Sequence, residues 1–479
     1  MLQTLRKAWR VPEIRHKILV VLFILVLYRI GTVIPVPFVD ADTFKSIFDA
    51  KYSTTIFSYM STLSGGAMES VTLFALGISP YITASIVMQL LTVAFPKLGE
   101  IAKQGEEGKE FVNKWTRIVT VILAVVTAIG YYILLARDGA LVAGASYKDG
   151  GAWFFYAATI VVAFCAGASL VMWLAEKINE NGLGNGISLI LFFNIIASLP
   201  HTILDLIRII VDAFTNEALH LGHGFGAIGF ALLVVAALLA MTFFVIFVTG
   251  SERRIPVQYA KRVVGRKMYG GQSTNLPLQL NMSGVMPVIF ASSIISLPTT
   301  IMVLCGVTGS GSGMAAWFNW AVSGKDRGFW DWVYWIFDSN GALYPVMLFV
   351  LIIAFAYFYI TISFNPVEVA NNLKKNGGMI PGIRQGRPTA EYIARILSKV
   401  TLMGALFLSI VAIVPILANP LVVQPLLGVI QGGTAYSAAL ASGFTFGGTS
   451  LLIVVGIALE TVRELEAQLT MRNYKGFLS

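Results

Sequence analysis

Few side chains here are of a kind that does chemistry inside an apolar protein. His220 and His223 stand three apart and could clamp a metal. Two imidazoles fall short of the three or four ligands that zinc takes, so an ordinary polar loop is the plainer reading. The glycines of Gly182-Leu-Gly184-Asn-Gly186 approach a dinucleotide loop, but the third spacing is wrong. They read instead as a tight turn into the next helix. Cys165 and Cys305, the only cysteines, fall in separate apolar runs, where packing is expected rather than a disulfide. Arg29 is the one charge near the middle of an apolar run. Glu460 lies near the end of the last run, within reach of the interface or of Arg463 at i,i+3. No GxxxxGK[ST] phosphate loop occurs.

These scarcities weigh against two function classes. An intramembrane hydrolase needs an activated nucleophile and a base, and no convincing pair is present. An ion-coupled transporter usually keeps ionisable groups at the membrane midplane. A transporter nevertheless stays open as an alternative, because it too uses inverted repeats.

The polar residues that do enter apolar runs are small. Ser79, Thr83, Ser85, Gln89 and Thr92 lie on one run, and Ser292, Ser293 and Ser296 on another. Close helix packing explains most of them, and a weakly bonded, easily parted seam is the functional reading. The same two runs carry an internal repeat. Gly77-Ile-Ser-Pro80-Tyr-Ile82-Thr-Ala84-Ser85 returns as Gly284-Val-Met-Pro287-Val-Ile289-Phe-Ala291-Ser292, with Gly, Pro, Ile, Ala and Ser at matching places.

The elements that position these residues follow from hydropathy. The 479 residues are 56% hydrophobic and 12% charged, with a mean hydropathy of +0.76. That balance describes an all-α polytopic membrane protein. Runs long enough to cross a hydrocarbon core, at about 20 residues each, fall near 18–36, 75–95, 116–136, 154–174, 187–207, 227–249, 283–305, 343–363, 397–417 and 444–463. Most of the 34 Lys and Arg lie before the first run and after the even-numbered ones. The positive-inside rule then puts both termini in the cytoplasm. The net charge of +9 gathers on that face, where anionic lipids or an acidic or nucleic-acid partner would meet it.

Ten spans divide into five and five, and an odd number per half inverts the second half in the membrane. The expected halves are 1–215 and 216–479. Both copies of the repeat then begin the second span of their half. Residues 59–74 are apolar but broken by Gly65, Gly66 and Glu69, which predicts a re-entrant half-helix or one lying flat on the outer surface. The loops 250–282 and 364–396 are long, basic and cytoplasmic. They look like docking surfaces, and the first predicts a hairpin with a strand from Ile255 and a turn at Gly270-Gly271. Trp317, Trp320, Trp330, Trp332 and Trp335 suggest an interfacial aromatic helix in the outer loop 306–342.

The strings ALGISPYITASIVMQLLT (75–92), GLGNGISLI (182–190), YAKRVVGRKMYGGQSTNLPLQLNMSGVMPVIFASSI (259–294), FNPVEVANNLKKNGGMIPGIRQGRPTAEYI (364–393) and FGGTSLLIVVG (446–456) together resemble the SecY/Sec61-alpha family. The resemblance runs over essentially the whole chain. One departure is Gln385 after Arg384, where many relatives have Pro.

The resemblance implies a clamshell of two five-helix halves around a protein-conducting pore that opens sideways between spans two and seven. It implies a pore ring of Ile78, Ile82, Ile187, Leu191, Ile289 and Ile453, and a lateral gate including Thr83, Ser85, Gln89, Ser292, Ser293 and Ser296. It also implies a plug containing Ser64, Gly65, Gly66 and Glu69. Arg254, Lys261, Arg262, Arg266, Lys267, Lys374, Arg384 and Arg387 would meet the motor ATPase SecA or the ribosome. Further implied partners are SecE and SecG small membrane subunits and unfolded, signal-bearing polypeptides, in the bacterial cytoplasmic membrane. No cofactor is implied.

Overall fold

The computed structural model describes residues 2–52, 56–102, 104–142, 153–215, 221–259, 262–264, 267–269, 273–304, 336–337, 343–418 and 436–475. Each of the ten apolar runs is a helix. They are α2 (Pro12–Gly31), α5 (Ser79–Ala94), α7 (Glu106–Asp138), α8 (Trp153–Asn181) and α9 (Gly186–Thr215) in the first half. In the second half they are α10 (Leu221–Thr249), α11 (Met286–Leu304), α12 (Tyr344–Ser363), α14 (Arg387–Ala418) and α15 (Tyr436–Lys475). Proline in the first turn starts α2, α5 and α12, where its missing N–H costs nothing. Among the described residues, five of these helices are by themselves long and apolar enough to cross a membrane. Arg29 and the basic N-terminal turns sit in α2, α5 meets α6 (Pro96–Ala102) at a bend of 110°, and α9 and α11 carry Pro200 and Pro298 in their interiors.

Large apolar side chains point outward from the bundle. Phe23, Val26 and Ile30 of α2 and Phe243 and Phe247 of α10 are exposed, Phe243 to 73%. In water such a surface would be costly, and against lipid tails it costs nothing. The interior is one continuous apolar cluster fed by α2, α5, α8, α9, α10, α11, α12, α14 and α15. A second cluster joins α3 (Ala41–Ile47), α4 (Ile56–Ser64), α7 and α8 through Phe44, Phe57, Tyr131 and Phe164.

The two ends of the chain meet on one face. Ala8 of α1 (Leu2–Arg10) and Ile14 pack with Leu183 and Leu465 near the end of α15. Lys17 Nζ donates to Gln468 Oε1 at 3.4 Å. An even number of spans requires this arrangement.

The predicted hairpin is present, with a partner that hydropathy did not announce. β1 (Glu252–Tyr259) pairs antiparallel with β4 (Ser273–Gln279), in register from Glu252↔Gln279 to Gln258↔Ser273. A shorter pair, β2 (Arg262–Val264) with β3 (Lys267–Tyr269), lies between them in sequence. The far edge of β1 then pairs with β5 (Gly378–Met379), through Gln258↔Met379 and Tyr259↔Gly378. The two long basic loops, expected as separate surfaces, thus share one sheet of order β4-β1-β5. His220, Lys261, Arg266, Gly270, Gly271, Cys305 and the five clustered tryptophans lie outside the described residues.

Candidate pore, gate and plug

The repeat proves to be conformational as well as sequential. Gly77 and Gly284 both adopt left-handed backbone, at φ +54° and +63°, which a side chain would resist. One residue later the same first turn forms in each copy. The amide of Ile82 donates to the carbonyl of Ile78 at 3.0 Å, and the amide of Ile289 to the carbonyl of Val285 at 3.2 Å. Ile82 and Ile289 therefore occupy equivalent places one turn into α5 and α11.

From those places the side chains converge. Ile78, Ile82, Leu191, Ile289 and Ile453 are all buried in the same apolar cluster, with Ile187 half-buried against it. Ile78 with Ile82 and Ile187 with Leu191 are i,i+4 pairs, so each shares one helix face. Ile453 comes from α15, which approaches the start of α11 so closely that a Cβ on Gly456 would run into Val285. Four helices thus contribute these six aliphatic side chains to one apolar cluster.

The gate residues lie on α5 and α11, which pack against each other. Thr83, Ser292 and Ser296 are buried, while Ser85, Gln89 and Ser293 are half-buried. Their hydroxyls bond mainly within their own helices. Ser292 Oγ donates to the carbonyl of Ile289 at 3.0 Å and Ser296 Oγ to that of Ser293 at 2.8 Å, while Gln89 Nε2 donates to Ser85 Oγ at 3.3 Å. One contact that reaches a seam serine from another element comes from α4. Tyr59 Oη donates to Ser292 Oγ at 3.3 Å.

The half-helix expected over 59–74 is shorter and earlier. It is α4, and beyond Ser64 the chain proceeds in turns. Gly65 and Gly66 end it, at φ +68° and +85°. The amide of Gly66 donates back to the carbonyl of Ser61 at 2.9 Å and that of Gly65 to Thr62 at 3.1 Å, the paired bonds of a Schellman stop. Apolar composition suggested a longer helix because it carries no record of this left-handed step. Ser61 Oγ donates to Glu69 Oε2 at 3.3 Å and Ser64 Oγ accepts from the Met68 amide at 3.2 Å. The return segment is pinned to the end of α2, with the Val36 amide on the Val71 carbonyl at 3.1 Å and the Leu73 amide on Ile34 at 2.9 Å. Val71, fully buried, sits at φ +46°, a strained state for a β-branched residue.

Tyr131 and Asn194, which sequence reading did not single out, hold this segment together with Arg29. Tyr131 Oη of α7 donates to the Met68 carbonyl at 2.6 Å. Asn194 Nδ2 of α9 reaches the Leu63 carbonyl at 2.8 Å and Tyr28 Oη at 2.9 Å. Arg29 Nη1 donates to the Gly65 carbonyl at 3.0 Å. An apolar cavity of about 70 Å³ lies beside the seam, lined by Met60, Leu63, Thr83, Tyr131, Ser293 and Ser296 among others.

On the face where the chain ends meet, Ile255, Val257, Leu278, Ile380 and Ile393 bury a small core under the shared sheet. Asn365 starts α13 (Pro366–Lys375), its Oδ1 accepting from the amides of Val367 and Glu368 at 3.1 and 3.4 Å. Arg254, Lys374, Arg384 and Arg387 are exposed. Arg254 contacts Glu252 at 2.6 Å and Arg387 contacts Glu391 at 3.1 Å; surface pairs of this kind contribute about 0–1 kcal/mol and leave the charges free for a partner. Arg262 and Lys267 lie on β2 and β3. Arg463, expected within reach of Glu460, directs its guanidinium elsewhere, donating to Gln279 Oε1 and to the Thr249 carbonyl, both at 2.8 Å. It thereby ties α15 to the root of the hairpin. The Gly182–Gly186 turn enters α9 as expected, with Gly184 at φ +82° and Asn185 Oδ1 accepting from the Ile187 amide at 3.0 Å.

A family model described as SecY matches residues 72–462. The chain is 42% identical over 482 residues to protein translocase subunit SecY of Streptomyces scabiei, covering all of both chains. It is 40% identical over 484 residues to that of Mycobacterium tuberculosis, again over all of both. Two solved structures share the fold. One, described as "The structure of a protein conducting channel", has a TM-score of 0.58 at 17% identity, covering 95% of this chain and 92% of the other. A second concerns the plug domain of the SecY protein, with a TM-score of 0.59 at 18% identity and the same coverage.

Proposed function

The chain belongs to the SecY family, and from that premise we propose that Ile78, Ile82, Ile187, Leu191, Ile289 and Ile453 close its pore and that α5 and α11 part to open it sideways. As a member of the family it is a multi-pass membrane protein and a translocase subunit that conducts protein rather than an enzyme. The observation that carries the reading is the convergence of both repeat isoleucines, Ile82 and Ile289, with residues of α9 and α15 in one buried aliphatic cluster. A narrow aliphatic constriction excludes water and ions. Unpolarised, rotatable side chains also close around a peptide of any sequence.

In this mechanism the halves 1–215 and 216–479 hinge apart and an apolar signal sequence enters between α5 and α11. Cargo is an unfolded secretory chain, and transmembrane segments leave sideways into the bacterial cytoplasmic membrane. The segment carrying Ser64, Gly65, Gly66 and Glu69 is the plug, and Tyr59 must release Ser292 as the seam opens. The Thr83, Ser85, Gln89, Ser292, Ser293 and Ser296 side chains line that seam.

Energy comes from partners. SecA or the ribosome docks on the cytoplasmic sheet and its neighbours, through Arg254, Lys261, Arg262, Arg266, Lys267, Lys374, Arg384 and Arg387. A related channel, Sec61, is described in a canine ribosome-channel complex, and an exposed basic surface suits polyanionic RNA. SecE and SecG subunits and anionic lipids complete the assembly, and both termini lie in the cytoplasm. The test is reconstitution with those subunits, SecA, ATP and a secretory precursor. Protease-protected precursor is expected inside the vesicles. Its absence, with a saturable flux of small solutes instead, would favour a transporter.

A further inference from the structure

Arg29 is the charge that the pore, gate and docking surfaces leave unused. It sits in the last turn of the apolar α2, two residues before the helix ends, and an ionisable side chain half-buried against an apolar bundle requires a reason. The structure places its guanidinium, half-buried, 3.0 Å from the carbonyl of Gly65. That carbonyl belongs to the residue that terminates α4.

The end of α4 is a negative pole. The last carbonyls of a helix lack partners within it, and the helix dipole adds partial negative charge there. The Schellman bonds from Gly65 and Gly66 satisfy Thr62 and Ser61. Two further carbonyls at this end are each taken by a side chain from a different span, Leu63 by Asn194 Nδ2 at 2.8 Å and Gly65, the residue after the helix, by Arg29. Asn194 is fully buried, and its amide is braced by Tyr28 Oη at 2.9 Å. Its Oδ1 is buried without a hydrogen-bond partner among the described residues. A Cβ on Gly65 would lie 3.1 Å from that oxygen and 3.1 Å from Arg29 Nη1. The two side chains thus flank a left-handed glycine at close quarters.

Resting on the reading of this segment as the plug, we propose that Arg29 and Asn194 are the receptor that holds the C-terminal end of the plug helix, a charge-assisted latch that keeps the idle pore shut. The chemistry also supplies the release. Once the plug leaves, the guanidinium loses its acceptor and needs water in exchange. A dry, closed pore offers none, whereas a pore wetted by a passing chain does. Arg29 is accordingly a positioning residue, acting on the seal through Gly65.

The test uses the full complex in planar bilayers and reads resting ion current. Arg29→Ala should raise that current on the order of tenfold, the scale of one charge-assisted hydrogen bond. Arg29→Lys, which keeps the charge but not the planar fork, should fall between. Asn194→Leu should leak similarly. Retained SecA-driven translocation shows that each variant is folded. The discriminating variant combines Arg29→Ala with removal of residues 57–66: it should leak no more than the plug deletion alone. A sealed Arg29→Ala channel beside a leaking plug deletion would overturn the latch and leave the plug reading standing, as would leaks that add. A sealed plug deletion would overturn the plug reading and the latch with it.

Discussion

The hydroxyl of Tyr59 donates to Ser292 Oγ across 3.3 Å, joining α4 to the serine that closes the second copy of the repeat. Ser292 Oγ in turn donates to the Ile289 carbonyl at 3.0 Å, so α4, α11 and the backbone of Ile289 are linked through one hydroxyl. Closure of the pore and closure of the seam are therefore expected to be coupled.

Tyr59→Phe removes that bond, along with the hydroxyl's hydrogen bond to Thr449, and keeps the ring. An interhelical hydrogen bond in a membrane averages about 0.6 kcal/mol, so the idle gate should open about threefold more often. The rate at which a precursor with a weakened signal sequence is exported should rise by about that factor, and an unchanged rate would show the bond to be incidental.

Replacing both Ile82 and Ile289 with glycine strips two equivalent aliphatic side chains from the constriction. Water should then enter, and resting ion conductance in planar bilayers should increase well above that of the parent. Conductance at the parental value would place the seal elsewhere.

Arg463→Ala should loosen the root of the docking hairpin, because it frees Gln279 and the Thr249 carbonyl together. Hydrogen bonds to charged groups contribute about 1.5–3 kcal/mol each. Amide exchange in β1 and β4 is expected to accelerate while exchange in α5 and α11 stays as it was. Uniform acceleration would point to general unfolding instead.

Arg384→Glu should weaken ribosome binding and flatten its salt dependence, lowering the slope of log affinity against log salt by about one unit for a lost phosphate contact. Binding titrations between low and physiological salt check this. An unchanged slope would remove Arg384 from the contact.

Much of this was legible in the chain because hydropathy and charge act locally. All ten helices, the single face shared by the chain ends and the turn at Gly184 follow from composition, spacing and glycine. The repeat needed the family resemblance before Ile82 and Ile289 acquired a role, since isolated isoleucines in apolar helices look alike. The helix expected over 59–74 stops at Ser64 although apolar residues continue past the point where Gly65 turns left-handed. Long-range partners were not legible at all. Asn194 and Arg29 bind backbone carbonyls, which every residue type possesses, and the β1–β5 pairing joins segments whose meeting depends on how α11 to α13 pack.

The most direct measurement bridges the seam itself. Thr83 and Ser296 line the same cavity from α5 and α11, so cysteines there, in a chain whose Cys165 and Cys305 are replaced by alanine, can be joined by a short cleavable thiol crosslinker in the idle channel. Lateral opening predicts that bridged channels stop exporting precursor and recover when the linker is cut. Undiminished export with the bridge intact would contradict it.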